Sequence, residues 1–121
     1  MPVSPEYRAY VEDQLGRFVR LRSRPMFGGV GLYADDLFFA LIDDDVLYLK
    51  VDDATRPQYE ARGMAPFSPT EEMSMSYYPL PGGVLDDPEE LRSWADEAVD
   101  VARRARGWKE RGSRNKSREG G

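Results

Sequence analysis

Cysteine and histidine are both absent from this 121-residue chain. The first absence excludes disulfides and thiolate zinc sites and gives no sign of an oxidising compartment. The second removes the commonest general base and the commonest metal ligand, and with them Ser-His, Cys-His and His-metal chemistry. Long apolar runs are missing as well. The longest, Leu37 to Ile42, falls far short of the roughly 20 residues that a spanning helix needs. The opening MPVSPEYRAY has neither a basic n-region nor an apolar h-region, so no secretory leader is expected. A cytoplasmic chain without a membrane segment is the expectation, with a length that suits one hydrophobic core and not two.

Charge is present but unevenly placed. Residues 1–102 carry nine Lys+Arg against twenty Asp+Glu, a formal −11, whereas 103–121 carry eight against two, a formal +6. Affinity for nucleic acid rests largely on counterion release by Lys and Arg, so the acidic body is a poor candidate for it. The domain is therefore expected over 1–106, followed by a basic, disordered tail over 107–121.

Ser4-Pro5-Glu6 is a helix start: an acceptor at the cap, Pro at the first position, an acid at the positive end of the dipole. Tyr7, Val11, Leu15 and Phe18 then form one apolar stripe on a helix reaching about Arg20. Arg17, Arg20, Arg22 and Arg24 form the body's one basic concentration. They read as a solvated helix end, with a phosphate or acidic-partner site as the sharper alternative. The stretch Met26 to Val51 holds most of the apolar mass and predicts a three-stranded meander. Its first strand starts at Met26-Phe27, is broken by a bulge at Gly28-Gly29 and resumes over Val30 to Ala34. Asp35-Asp36 turns the chain into the wholly apolar Leu37 to Ile42, and Asp43-Asp44-Asp45 turns it again. Over Val46 to Val51 the alternation puts Leu47, Leu49 and Val51 on the core face, and Val46, Tyr48 and Lys50 on the other.

A short helix follows, capped by Asp53 or Thr55 and ended by Gly63. Met64 to Phe67 predicts a short strand. A second is predicted where Met73, Met75 and Tyr77, facing the core, alternate with Ser74, Ser76 and Tyr78. Asp87-Pro88-Glu89-Glu90 starts the last helix, whose stripe is Leu91, Trp94, Ala95, Ala98, Ala102 and Ala105, with Gly107 as its stop.

Motifs for specific chemistry fail on context. Gly29-Val30-Gly31-Leu32-Tyr33-Ala34 matches a permissive dinucleotide fingerprint, but a turn and a strand follow where a helix should open to hold the pyrophosphate. No P-loop ending is present. The aspartate pairs lack EF-hand spacing and sit where turns and caps need short acceptors. Trp108 with Lys109, Arg111, Arg114 and Lys116 is a minimal recipe for weak single-strand binding, although Trp108 could equally fold back as the hydrophobic partner of the helix end.

One resemblance is specific as a set. Arg24-Pro25-Met26-Phe27-Gly28-Gly29, then Gly31-Leu32-Tyr33, Phe39-Ala40-Leu41-Ile42 and Leu47-Tyr48-Leu49-Lys50 resemble in order and spacing the N-terminal domain of the TfoX (Sxy) competence-regulator family. The likeness continues through Gly63, Phe67, Tyr77-Tyr78 with Pro81, and the Leu91/Trp94/Ala95/Ala98 helix. It implies an α+β, two-layer α-β(3)-α-β(2)-α domain, similar to secretion-chaperone-like folds, with helices packed on an antiparallel sheet. Full-length members of the family are transcriptional coactivators of natural competence that work with a cyclic-AMP receptor protein and carry a further helical domain. Here the basic tail stands in that domain's place, so a single-domain member is expected. The family supplies no catalytic residue, cofactor or metal to carry over.

The expected role is accordingly a non-enzymatic, regulatory protein-interaction domain. Its partner would be a protein: a second copy or part of the transcription machinery. Its contact surface would be Tyr33, Tyr48, Lys50, Ser74, Ser76 and Tyr78, which the alternation points away from the core. A small-molecule-binding or enzymatic site using Lys50 with Tyr48 or an Asp is the alternative, because a desolvated lysine shifts its pKa readily.

Overall fold

Short acidic turns decide where the chain doubles back. Asp35, Asp44 and Asp45 all take left-handed backbone (φ 56°, 51° and 56°), a conformation that Asp tolerates better than most residues. Asp44-Asp45 sit between the paired Asp43 and Val46, the two-residue hairpin in which both central residues need positive φ. A computed structural model gives the element order α1 (Pro5–Leu15), β1 (Leu21–Met26), β2 (Gly29–Ala34), β3 (Leu37–Asp43), β4 (Val46–Lys50), α2 (Arg56–Glu60), β5 (Tyr77–Pro79) and α3 (Pro88–Gly120). The structure describes residues 3–26, 28–68 and 76–120, with side chains as far as Gly107.

The fold is α+β. Five strands form one antiparallel sheet in the order β1-β2-β3-β4-β5. Their allotment along the chain is four and one, where three and two were expected. The extra strand is β1, Leu-Arg-Ser-Arg-Pro-Met, where the expected helix reached about Arg20 and the expected first strand began only at Met26. Gly28, at φ 79°, makes a hairpin turn between the paired Met26 and Gly29 in place of the expected bulge. No strand forms over Met64 to Phe67, although the Phe67 amide bonds the carbonyl of Tyr77, the first residue of β5 (2.7 Å).

α1 starts as its residues dictate, with the Tyr7 amide on Ser4 Oγ (3.2 Å), and it stops early, at Leu15. The amides of Phe18 and Val19 both turn back to the Leu15 carbonyl, which frees the chain to enter β1. Arg22 and Arg24 thus stand on a strand and not at a helix end. At α3 the Glu90 amide bonds Asp87 Oδ1 (3.2 Å), the cap that Asp87-Pro88 announces. The helix runs on past Gly107, the expected stop. Lys109, Glu110 and Arg111 are good helix formers, and one interior glycine costs only about 1 kcal/mol.

All three helices lie against one face of the sheet. Val30, Leu32, Phe39, Ile42, Leu47 and Leu49 point to that face and join Val11 and Leu15 of α1, Tyr59 of α2, and Leu91, Ala95 and Ala98 of α3 in a single core. β1 is tied to α1 by Ser23, whose hydroxyl donates to Glu12 (2.5 Å) and accepts from Arg8 (2.9 Å). Among the described residues no helix is long and apolar enough to cross a membrane.

Candidate interaction surface

The other face of the sheet is built by the same alternation and carries a cluster of rings where the core face is mainly aliphatic. β4 keeps the predicted register: Leu47 and Leu49 are buried, while Tyr48 and Lys50 point away from the helices and are half-buried. β2 contributes Gly29, Gly31 and Tyr33 to this second face, opposite Met26, Arg24 and Arg22 of β1.

A β-bulge lets β3 serve both sides. Leu32 pairs with Ala40 but Tyr33 pairs with Phe38, which leaves Phe39 as the extra residue. Phe38 therefore stacks on Tyr33 (centroids 5.1 Å apart, planes 26°), and Phe39 is wholly buried in the core. Phe39 and its neighbour Ala40 thereby both reach the core, and Phe38 turns to the other face, without breaking the sheet. Phe38 also meets Tyr77 (5.4 Å), and the Lys50 Nζ lies over the Tyr77 ring at 5.1 Å. In the adjacent row Tyr48 packs on Phe67 (4.8 Å). Rings at these separations attract through their quadrupoles as well as by burial.

The glycines explain why this face is indented. A Cβ on Gly31 would stand 2.5 Å from Met26 Cε and 3.2 Å from Phe38, so the missing side chain is what lets Met26 lie across β2. A Cβ on Gly29 would meet the Ile42 carbonyl oxygen at 2.3 Å, so there the backbone of β3 is the obstacle. Met26, Gly29, Phe38, Leu41 and Phe67 enclose an apolar hollow of about 50 Å³. The signature of Met26, Gly28, Gly29, Gly31 and Tyr33 is thus a packing device: a turn, two close approaches and a ring. Its remaining member, Phe27, lies outside the described residues.

Burial pushes the Tyr48 phenol up, helped by Asp43 and Asp44. It pushes Tyr77 up further, with Tyr33 adding. Both are neutral hydrogen-bonding groups at physiological pH.

The expected surface residues separate on this geometry. Tyr33, Tyr48 and Lys50 share the aromatic face. Tyr78 does not: it pairs with Leu49, is buried at 3% exposure, donates to Glu60 (2.9 Å) and packs on Tyr59 (5.7 Å). The expectation was one residue out of register, which in a strand exchanges the faces. Tyr77 holds the place proposed for Tyr78. Ser76 is exposed beyond the end of β5, its carbonyl taking the Val51 amide, while Met73, Ser74 and Met75 lie outside the described residues. So do the side chains of Trp108, Lys109, Arg111, Arg114 and Lys116. Tyr48 and Lys50 share a face, but their ring contacts differ: Tyr48 packs on Phe67, and Lys50 lies over Tyr77. Phe38, Phe67 and Met26 were missed as surface residues. For Phe38 no signal existed, because an unbroken apolar run shows no alternation.

Comparison with known proteins bears on this arrangement directly. The model of the TfoX N-terminal domain matches residues 13–102, which takes in the sheet, α2 and the first half of α3. The chain belongs to the TfoX N-terminal domain family. A curated relative, "DNA transformation protein TfoX1" of Aliivibrio fischeri (strain ATCC 700601 / ES114), is 28% identical over 108 residues, covering 84% of this chain and 52% of its own. The chain thus spans about half the length of that relative. In this TfoX-type domain the matched segment begins inside α1, at Asp13, and ends at Ala102, the last core residue of α3.

Proposed function

We propose that this domain is a non-enzymatic, cytoplasmic, regulatory module that binds a protein partner on the aromatic face of its sheet. The observation that carries this is the half-buried pair Tyr33 and Phe38, seated on the buried Tyr77 and flanked by the half-buried Tyr48 and Phe67, on the face that no described helix covers. Aromatic side chains that retain some exposure at the centre of a rigid sheet are the usual anchors of interfaces. Arg22 and Arg24 border the row at β1 and Lys50 at β4, so the partner is one that brings acidic side chains around an apolar anchor. A relative named for DNA transformation supports a place in the regulation of that process.

The test is a pull-down from the native host with the wild-type domain and with Tyr33→Ala, Tyr48→Ala and Lys50→Ala, using Tyr10→Ala, on α1, as the control. One specific protein should be lost with the face variants and kept by the control. Equal recovery with all variants would sink the proposal. Light scattering over a concentration series checks the acidic-partner version: reversible dimerisation abolished by Tyr48→Ala would mean that the occupant is a second copy.

A further inference from the structure

Where β4 leaves the sheet, the chain passes through Asp52 to Thr55 into α2, and the Val101–Ala105 turn of α3 runs alongside. Between them lies an open cleft of about 500 Å³. Val51 and Val101, each 2% exposed, line its apolar part. Lys50, Arg56 and Arg104 line it from three different elements, and Ser76 adds a hydroxyl.

Two carboxylates also line the cleft, and their roles differ. Asp52 is committed to the fold: Oδ1 accepts the amides of Ala54 and Thr55 (3.0 Å each) and Oδ2 accepts Arg104 (2.8 Å). Arg104, with burial opposing, holds that carboxyl below the usual range. Asp52 therefore orients Arg104 and has no reason to let go. Asp53 is different. Its side chain is 98% exposed and meets only Arg56 (2.6 Å) among the described ion pairs, the kind of surface pair that adds little to stability and exchanges readily for another anion. A guanidinium has five N–H donors in a planar fork that suits a phosphate. Among the described residues, Arg56 and Arg104 each donate one hydrogen bond to a carboxylate. Lys50, Arg56 and Arg104 against Asp52 and Asp53 leave one positive charge in excess among the lining groups, so the surplus suits a ligand with one phosphate and not several.

We propose that this cleft binds a small phosphate-bearing ligand of about mononucleotide size. The phosphate takes the place of Asp53 on Arg56 and adds bonds from Arg104, while the rest of the ligand lies on the exposed Ala105 and the aliphatic stem of Lys50, above the buried Val51 and Val101. Lys50 stands between this cleft and the aromatic face, so an occupant here would also alter the rim of the partner surface.

The experiment is a titration of the full chain, followed by backbone amide resonances, with UMP, uridine and inorganic phosphate as probes. UMP is expected to shift the amides of Lys50 to Arg56 and Val101 to Ala105, and to bind at least about tenfold more tightly than uridine or inorganic phosphate. Arg104→Gln should weaken UMP binding about tenfold. Asp53→Asn should strengthen it two- to fivefold, because it removes the carboxylate that competes for Arg56. Because Asp53 is exposed, that variant keeps its fold. Uridine or phosphate binding as tightly as UMP, shifts confined to other elements, or an Asp53→Asn variant that binds no better would each overturn the proposal. Lys50 lines this cleft, but the face variants Tyr33→Ala and Tyr48→Ala do not touch it, so their pull-down result and the titration can fail separately.

Discussion

The two faces of this sheet are made from the same strands and differ in what they are for. On the helix side, Leu32, Ile42, Leu47 and Leu49 are buried to 2% or less and join residues of the three helices in one mainly aliphatic core. On the other side, Tyr33, Phe38, Tyr48 and Phe67 are half-buried and touch one another. Aliphatic side chains fill volume without direction, which is what a sheet-to-helix interior needs. Rings keep a flat surface and a polar tip, and so remain useful when partly wet. Stability should therefore reside on one face and recognition on the other.

Neighbouring residues of β4 give the sharpest way to break that comparison. Leu49→Ala removes a fully buried side chain and should cost about 2–5 kcal/mol in denaturant unfolding. Tyr48→Ala, next to it but on the open face, should cost about half of that or less. Equal losses would mean that the aromatic face is simply a second core.

The glycines sharpen the same contrast at lower energy. Gly29→Ala drives a Cβ into the Ile42 carbonyl, backbone that cannot step aside without disturbing the core, and should cost about 1–3 kcal/mol as an overpacked site. Gly31→Ala meets only the flexible end of Met26 and the Phe38 ring edge. It should cost less, and the loss should be largely recovered in the Gly31→Ala/Met26→Ala double variant. A cycle with no coupling between those positions would show that Met26 does not lie over β2 in solution.

The smallest expected effect is in the alkaline limb. Burial raises the phenol of Tyr59 on the helix side, with Glu97 adding, and that of Tyr77 on the open side, both above the ordinary value of 10.0. A raised folded pKa means that the folded state holds the proton more tightly. The associated stability is present below the unfolded value and is lost as pH climbs from there towards the folded value. Phenolate absorbance should accordingly lag behind that of the denatured chain above pH 10.0, and Tyr59→Phe should flatten the fall in stability over that range. A phenolate curve for the native protein that matches the denatured chain would contradict the burial of these rings.

How much was legible depended on whether the deciding interaction was local. Ser4 and Asp87 cap their helices, the aspartates turn their hairpins and Leu47/Leu49 face the core as their neighbours in sequence imply, because each of these choices is settled within a few residues. β1 was not legible. Arg22, Arg24 and Pro25 suit an edge strand, whose free side faces solvent and whose charges discourage further pairing. The same residues also suit a frayed helix end, and only the pairing with β2 separates the two.

The sequence by itself determined the α+β class, the one core, the helix starts and turns, the inward face of β4 and the family. Tertiary structure alone decided that Gly28 turns a hairpin, that the Leu32/Tyr33 bulge puts Phe39 together with Ala40 in the core and Phe38 on the open face, and that Tyr77 rather than Tyr78 stands beside Lys50. Those three outcomes have one physical cause: strand register is set by hydrogen bonds to a neighbour distant in sequence, and a shift of one residue exchanges the faces of every side chain beyond it.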